Sequence, residues 1–221
     1  MLELAIEWMP PKRRGEASTD REQETRAEIL ATARRLARQH GFHKLTMEDI
    51  AAACGRTKSF LYYYYPARRE LVRAMVEAEL GEIREHVRSA VAREQSAADK
   101  LRTFIQARLE EVLRQVTSVG VATIARALAG KQAGADFASI LAMRQALDQE
   151  EAVLVAELLR LGVDEGTFRP LPAVLIEDLT YFLLSALRGV ELELALAPDT
   201  QQLAGPRMAK VLDVMMRGLR K

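Results

Sequence analysis

The sequence predicts an all-α protein, and three observations carry that prediction. Ala, Leu, Glu and Arg dominate the composition, a mixture that favours helices. Apolar residues return at i, i+4, i+7 and i+8 in segment after segment. Gly and Pro are sparse and fall where one such segment gives way to the next. No strand-like alternation competes with this pattern, and no internal repeat or low-complexity tract is present.

At 221 residues and 24.7 kDa the chain suits one large or two small domains. Residues 1–20 read as a flexible tail: Pro10, Pro11 and the basic triplet Lys12-Arg13-Arg14 carry no hydrophobic period, and where Trp8 and its apolar neighbours dock is left open. A first helix is expected from about Glu22 to His40, with Ile29, Ala33, Leu36 and Ala37 on its inner face and Gly41 ending it. A second begins at Thr46, where Thr46-x-x-Asp49 resembles a capping box. Gly55 ends it and supplies a turn. Thr57 caps a third helix, Lys58 to about Tyr64. Leu61 and Tyr65, four apart, are expected to face the core.

Pro66 leads into a long fourth helix, about Ala67 to Arg93, with an apolar stripe through Leu71, Met75, Ala78 and Ile83. Ser96-Ala97-Ala98-Asp99 starts a fifth, which runs to about Val116. A short helix is expected over 120–128, a loop over 130–135, and another helix from an Asp136 cap to about Leu161. A turn-rich connection follows from Gly162 to Pro170. Two helices close the chain, about Pro172 to Leu196 and Asp199 to Leu219. The first of these is apolar over more than one face, which means burial on two sides. The second side suits another subunit.

Net charge is only +1, but its distribution is uneven. From Arg21 to Arg73 there are 11 Lys or Arg against 6 Asp or Glu; the rest of the chain is slightly acidic. That local excess is the footprint expected of a phosphate-binding surface. Cys54 is the sole cysteine, so no disulfide within the chain and no cysteine-based metal site is expected, and its Ala-rich setting reads as a small buried side chain. No signal-peptide pattern and no run of about 18 apolar residues is seen, so the cytoplasm is the default compartment and no membrane partner is expected. An enzyme is not expected either. The three histidines include one Glu82/His86 pair at i, i+4, with no second copy to build a di-metal carboxylate site, and no phosphate loop or nucleophile elbow is present. No cofactor is implied.

Four of the five tyrosines are consecutive, Tyr62 to Tyr65, on the third helix. Helix, glycine turn and tyrosine-rich helix form a helix-turn-helix candidate, whose second helix would enter the DNA major groove with Thr57, Lys58 and Ser59 at its leading end. Helix amides and Lys58 favour phosphate there, and the phenols of Tyr62 and Tyr63 can reach phosphate oxygens. On composition alone, two short helices in a bundle serve equally well.

The stretch Thr25 to Ala33, then Gly41-Phe42, Thr46 to Ala51, Gly55 to Tyr65 and Glu70-Leu71 resembles the N-terminal DNA-binding domain of the TetR family of transcriptional regulators. The resemblance covers about residues 25–72 and is specific in order and spacing. It implies a helix-turn-helix domain over 21–66 and a ligand-binding and dimerisation domain over 67–221. It also implies a homodimer on a palindromic double-stranded DNA operator, usually a repressor, released by a small-molecule effector. By position, Thr46, Lys58, Tyr62 and Tyr63 would touch DNA, mostly its backbone, with Arg26, Lys44 and Arg68 flanking and Thr57 at the helix start. Ser59, Phe60 and Tyr64 fall where the family reads bases. Arg56 departs from the small apolar residue usual in the turn and would reach outward to DNA. Phe60 replaces a small hydroxyl residue and can meet a thymine methyl. Ala67 stands where Ser or Asn often caps the fourth helix.

By the same resemblance the effector site would lie among the fifth to eighth helices, with Phe104, Arg108, Met143, Leu147, Tyr181 and Phe182 as lining candidates. Arg108 and Tyr181 are the informative ones, because a buried charge or phenol needs a partner. The dimer interface would use Phe182, Ala186, Gly189, Val190, Met208, Val211 and Met215, with Gly189 allowing close helix approach. An activator of the same fold, or a helical protein that binds a ligand but no DNA, are the alternatives.

Overall fold

The structure is a computed structural model that describes residues 14–40, 45–114, 137–196 and 201–220. Eight helices are described: α1 (Arg14–His40), α2 (Met47–Ala53), α3 (Lys58–Tyr64), α4 (Arg68–Ala92), α5 (Ala97–Arg114), α6 (Phe137–Asp164), α7 (Ala173–Leu196) and α8 (Gln201–Leu219). An isolated antiparallel bridge pairs Phe168 with Arg220. The expected short helix over 120–128, the loop over 130–135, the Asp136 cap and Lys44 lie outside the described residues, as do the side chains of Trp8 and Met208. Among the described residues no helix is long and apolar enough to cross a membrane.

The architecture is all-α, with an N-terminal helix-turn-helix unit followed by a larger helical bundle. The small unit packs α1 against α2 and α4, and α2 against α3. Its core is Ile29, Ala33 and Ala37 from α1, Leu45, Met47 and Ile50 around α2, and Leu61 and Tyr65 from α3. Leu61 has no exposed surface, and burying such a side chain contributes about 1.5–3 kcal/mol. The Tyr65 hydroxyl donates to the Arg26 carbonyl of α1 at 3.2 Å, so the last tyrosine faces inward as expected. Cys54 is free and half-buried.

Helix α4 belongs to both units. Its start, through Leu71, Val72 and Met75, closes the small core, and its later turns pack on α5 and α6. Arg34 of α1 grips Glu82 of α4 with two parallel bonds of 2.6 and 2.5 Å, tying the helix-turn-helix unit to the middle of this helix. Ala67 gives α4 no side-chain cap, as its sequence implied. Ser96 caps α5 reciprocally with Asp99, and Glu165 from beyond α6 accepts from the Ala97 amide at 3.0 Å.

The larger bundle centres on α5, which meets α4, α6, α7 and α8. Apolar residues such as Leu101, Phe104, Ile105, Leu147 and Val155 fill it. Charges are buried with them. Arg144 of α6 makes a bidentate pair with Glu191 of α7, one arm at 2.7 Å, and Asp148 bridges Arg144 at 3.2 Å and Arg188 at 3.0 Å. Burial pulls Arg144 down, but Glu191 and Asp148 more than offset that, so its guanidinium is held above its ordinary range. Arg108 lies 2.7 Å from Glu151, both buried, with its N–H directions missing that oxygen.

Two element boundaries differ from expectation. Helix α1 starts at Arg14, so residues 14–20 of the supposed tail are helical; those turns are polar, and helix formers extend a helix without leaving a hydrophobic period. Helix α6 runs past Gly162 to Asp164. Gly162 is not a turn residue: a Cβ there would lie 2.1 Å from the Phe168 ring, so its role is to admit that ring. The reversal is made by Gly166, at φ +71.

Candidate nucleic-acid interface

The start of α2 is built by Thr46. Its backbone is extended, its hydroxyl oxygen accepts from the Asp49 amide at 3.1 Å, and Asp49 accepts from the Thr46 amide at 3.0 Å and hydroxyl at 2.7 Å. These bonds hold the Asp49 carboxyl below its ordinary range. Thr46, a candidate phosphate contact, thus already spends its hydroxyl proton on Asp49. Gly55, at φ +63, makes the turn, a conformation that costs other residues a Cβ clash. Arg56 then donates its amide to the Ala51 carbonyl at 2.9 Å, locking the turn onto α2. Thr57 caps α3 by accepting from the Phe60 amide at 3.2 Å.

Helix α3 divides by face. Leu61 is buried, and Phe60 and Tyr64 are half-buried against the core. Ser59, Tyr62 and Tyr63 point out, Tyr63 with 72% of its surface exposed and Tyr62 with 37%. The aromatic rings brace one another: Phe60 and Tyr64 are 5.0 Å apart, and Tyr63 meets Tyr64 edge-on at 5.0 Å. Such pairs hold rings in place at little entropic cost. Of the three candidate base readers, Ser59 is open to solvent, while Phe60 and Tyr64 also serve the packing. Thr57, Arg56 and Lys58 are exposed beside Ser59, and Arg26 is exposed on α1, 3.5 Å from Glu22. Arg68 is half-buried at the start of α4.

Two contacts were not foreseen. The Arg56 guanidinium lies over the Phe60 ring, 4.9 Å from its centre, which orients it along the face of α3. Lys58 donates to Glu48 across the turn and sits 5.8 Å from the Tyr62 ring. That bond holds Glu48 below its ordinary range and Lys58 above its own. The signal was present in the sequence, since Glu48 and Lys58 start consecutive helices, but pairing across a turn follows no i, i+4 rule.

Chemically, this face offers cations, hydroxyls and phenols on a helix braced from behind, with no buried titratable group. It can bind a polyanion and touch flat base edges. Residues 29–75 match the family model for bacterial regulatory proteins of the tetR family. Over these residues the chain is similar to the TetR family. The matching segment holds the inner face of α1, the whole of α2 and α3, and the first turns of α4. YvaF of Bacillus subtilis, an HTH-type transcriptional regulator, is 46% identical over 57 residues, 26% of this chain and 30% of that protein. The chain's match therefore spans less than a third of that relative's length. A transcriptional regulator from Cytophaga hutchinsonii shares the fold over 88% of this chain and 98% of its own, with a TM-score of 0.71 at 18% identity. The structure of AibR in complex with isovaleryl coenzyme A and operator DNA superposes over 83% of this chain and 95% of its own, with a TM-score of 0.55 at 24% identity.

The six effector-site candidates do not come together. Phe104 and Arg108 are buried on α5, and Met143 and Leu147 face the same interior from α6. Tyr181 and Phe182 are 72% and 65% exposed on α7, away from that interior. The physical reason is helix phase: Ile176, Thr180, Leu183, Leu184 and Leu187 take the inward face, which leaves 181 and 182 outward. Phe182 and Gly189 lie on the exposed side of α7, with Ala186 and Val190 half-buried beside them. Val211 of α8 is exposed and Met215 half-buried. A Cβ on Gly189 would touch nothing within 4 Å, so that helix surface is open to close approach.

Proposed function

We propose that this chain is a DNA-binding transcriptional regulator, a homodimer that represses from a palindromic operator and is released by a small-molecule effector. The observation that carries the reading is the braced α3 face, with Tyr62, Tyr63, Ser59 and Lys58 outward on a helix-turn-helix. The exposed apolar side chains Val174 and Phe182 on α7 and Val211 and Val214 on α8 support a second copy as partner, because exposed apolar surface on closing helices is what an interface would cover. AibR, solved with a coenzyme A thioester and operator DNA, supports the pairing of effector and operator in one chain. Tyr62 and Tyr63 hold phosphates, Ser59 and Arg56 face base edges, and Phe60 meets a thymine methyl.

The test is titration of labelled DNA from the region upstream of the protein's own gene at several salt concentrations. Binding that prefers sequence and weakens steeply with salt is expected, because phosphate contacts release counterions. Binding that ignores both would end the regulator reading in favour of a ligand-binding bundle. Light scattering at micromolar concentration should report a dimer; a monomer would contradict the α7 and α8 interface.

A further inference from the structure

We propose that the effector is an anionic amphiphile, an apolar chain ending in a carboxylate or phosphate, and that it enters a cavity between α4, α5 and α6. This deepens the effector reading above and rests on it. The cavity has a volume of about 480 Å³, within the range of about 300–1,000 Å³ usual for small-molecule sites. Its wall is apolar: Val87 and Val91 of α4 face Leu147, Leu154 and Leu158 of α6. Its rim is cationic: Arg84, Arg88 and Lys100 line it from α4 and α5.

The three cations are not equivalent. Arg84 is engaged by Glu150, at 2.6 and 3.1 Å. Arg88 and Lys100 have no ion-pair partner among the described residues, and both keep part of their surface in solvent. Glu151 also lines the cavity, but its carboxylate is paired with Arg108, which does not reach the cavity. The floor is thus close to neutral while the mouth carries two uncommitted positive charges. An apolar chain gains by leaving water, and its anionic head gains by meeting Arg88 and Lys100 where solvent is partly excluded. A neutral ligand would leave those cations unused, and a cationic one would meet repulsion on entry.

The experiment is isothermal titration of the full chain, without DNA, against decanoate, decyl phosphate and decyltrimethylammonium below their micelle concentrations. Saturable binding of one anion per chain is expected, with the cation at least about tenfold weaker. The two anions separate a carboxylate source from a phosphate source, and binding of either supports the site. The double variant Arg88→Glu and Lys100→Glu should lose anion binding by at least about tenfold and gain the cation. Arg93→Glu, an exposed charge outside the cavity, should change neither. Equal affinity for anion and cation, non-saturable uptake, or an equal loss in Arg93→Glu would each overturn the proposal. Because DNA is absent, failure here leaves the operator reading standing, and failure of operator binding leaves this result readable.

Discussion

The two halves of the molecule use charge in opposite ways. Around the turn of the helix-turn-helix unit, charged and hydroxyl side chains sit at the surface and find partners close in sequence: Thr46 with Asp49, Lys58 with Glu48. At the centre of the larger bundle, charges are buried and find partners far away: Arg144 with Glu191, Arg108 with Glu151. A surface pair contributes little to stability and can be exchanged for another partner. A buried pair contributes little net energy as a pair, but removing one member strands the other. The first half is thus built to trade contacts with an external ligand, the second to hold one arrangement.

The largest expected effect tests the buried half. Glu191→Ala leaves Arg144 without its bidentate partner and should cost about 3–5 kcal/mol in urea unfolding. A loss below about 1 kcal/mol would place that pair with the surface ones, and the contrast between halves would collapse. Next is Gly162→Ala, where the new methyl meets the Phe168 ring; overpacking of this kind costs about 1–3 kcal/mol. A neutral outcome would mean that the Phe168 ring moves freely, contrary to a rigid bundle.

The reading half should behave differently. Tyr63→Ala removes an exposed phenol, so its unfolding free energy should move by no more than about 0.5 kcal/mol. DNA affinity should nevertheless fall about tenfold or less, on operator and random duplex alike, as expected for lost phosphate contact. Changes at Ser59 or Phe60 should instead shift sequence preference. A Tyr63→Ala variant that altered preference alone would reverse the assignment of the two faces of α3.

The smallest effect is a pH dependence. Hydrogen bonds from Thr46 lower the folded pKa of Asp49. Its stabilising contribution is therefore present above the unfolded carboxyl value of about 3.9 and is lost as pH falls through the lower folded value. Asp49→Asn should flatten the acid limb of the stability profile over that window, with its cost largest at neutral pH and vanishing at the acid end. An unchanged acid limb would mean that the cap does not titrate with folding.

The same contrast explains what was legible in the sequence. Caps are local, so Thr46, Thr57 and Ser96 announced their helices, and the spacing of Leu61 and Tyr65 announced the inner face of α3. The outer face was legible as far as exposure goes, but the stack of Arg56 on Phe60 and the bond from Lys58 to Glu48 depend on how two helices meet across Gly55. In the bundle the informative partners are 43 and 47 residues apart in sequence, as Arg108–Glu151 and Arg144–Glu191 show, and no periodicity reports them. Tyr181 and Phe182 were named as pocket candidates by resemblance alone; α7 is apolar nearly all round, so composition could not say that both point away from the Phe104 interior, Tyr181 towards a separate pocket between α6 and α7. Gly162 looked like a turn for a similar reason: a glycine that makes room for a ring and one that reverses the chain are the same letter.

The bond between Lys58 and Glu48 has a consequence for how DNA is approached. Glu48 acts as a tethered counterion, at high local concentration whatever the bulk salt. A phosphate that takes Lys58 must displace a carboxylate that cannot diffuse away, so weak, random encounters are penalised more than a well-seated one. Glu48→Gln should therefore tighten binding to random duplex more than to operator, narrowing the ratio between them, and the salt dependence on random DNA should steepen as a mobile anion replaces the tethered one. An unchanged ratio in the two titrations would show that the bond is idle. On this account the discrimination of the surface is set partly by an acidic side chain that never touches a base.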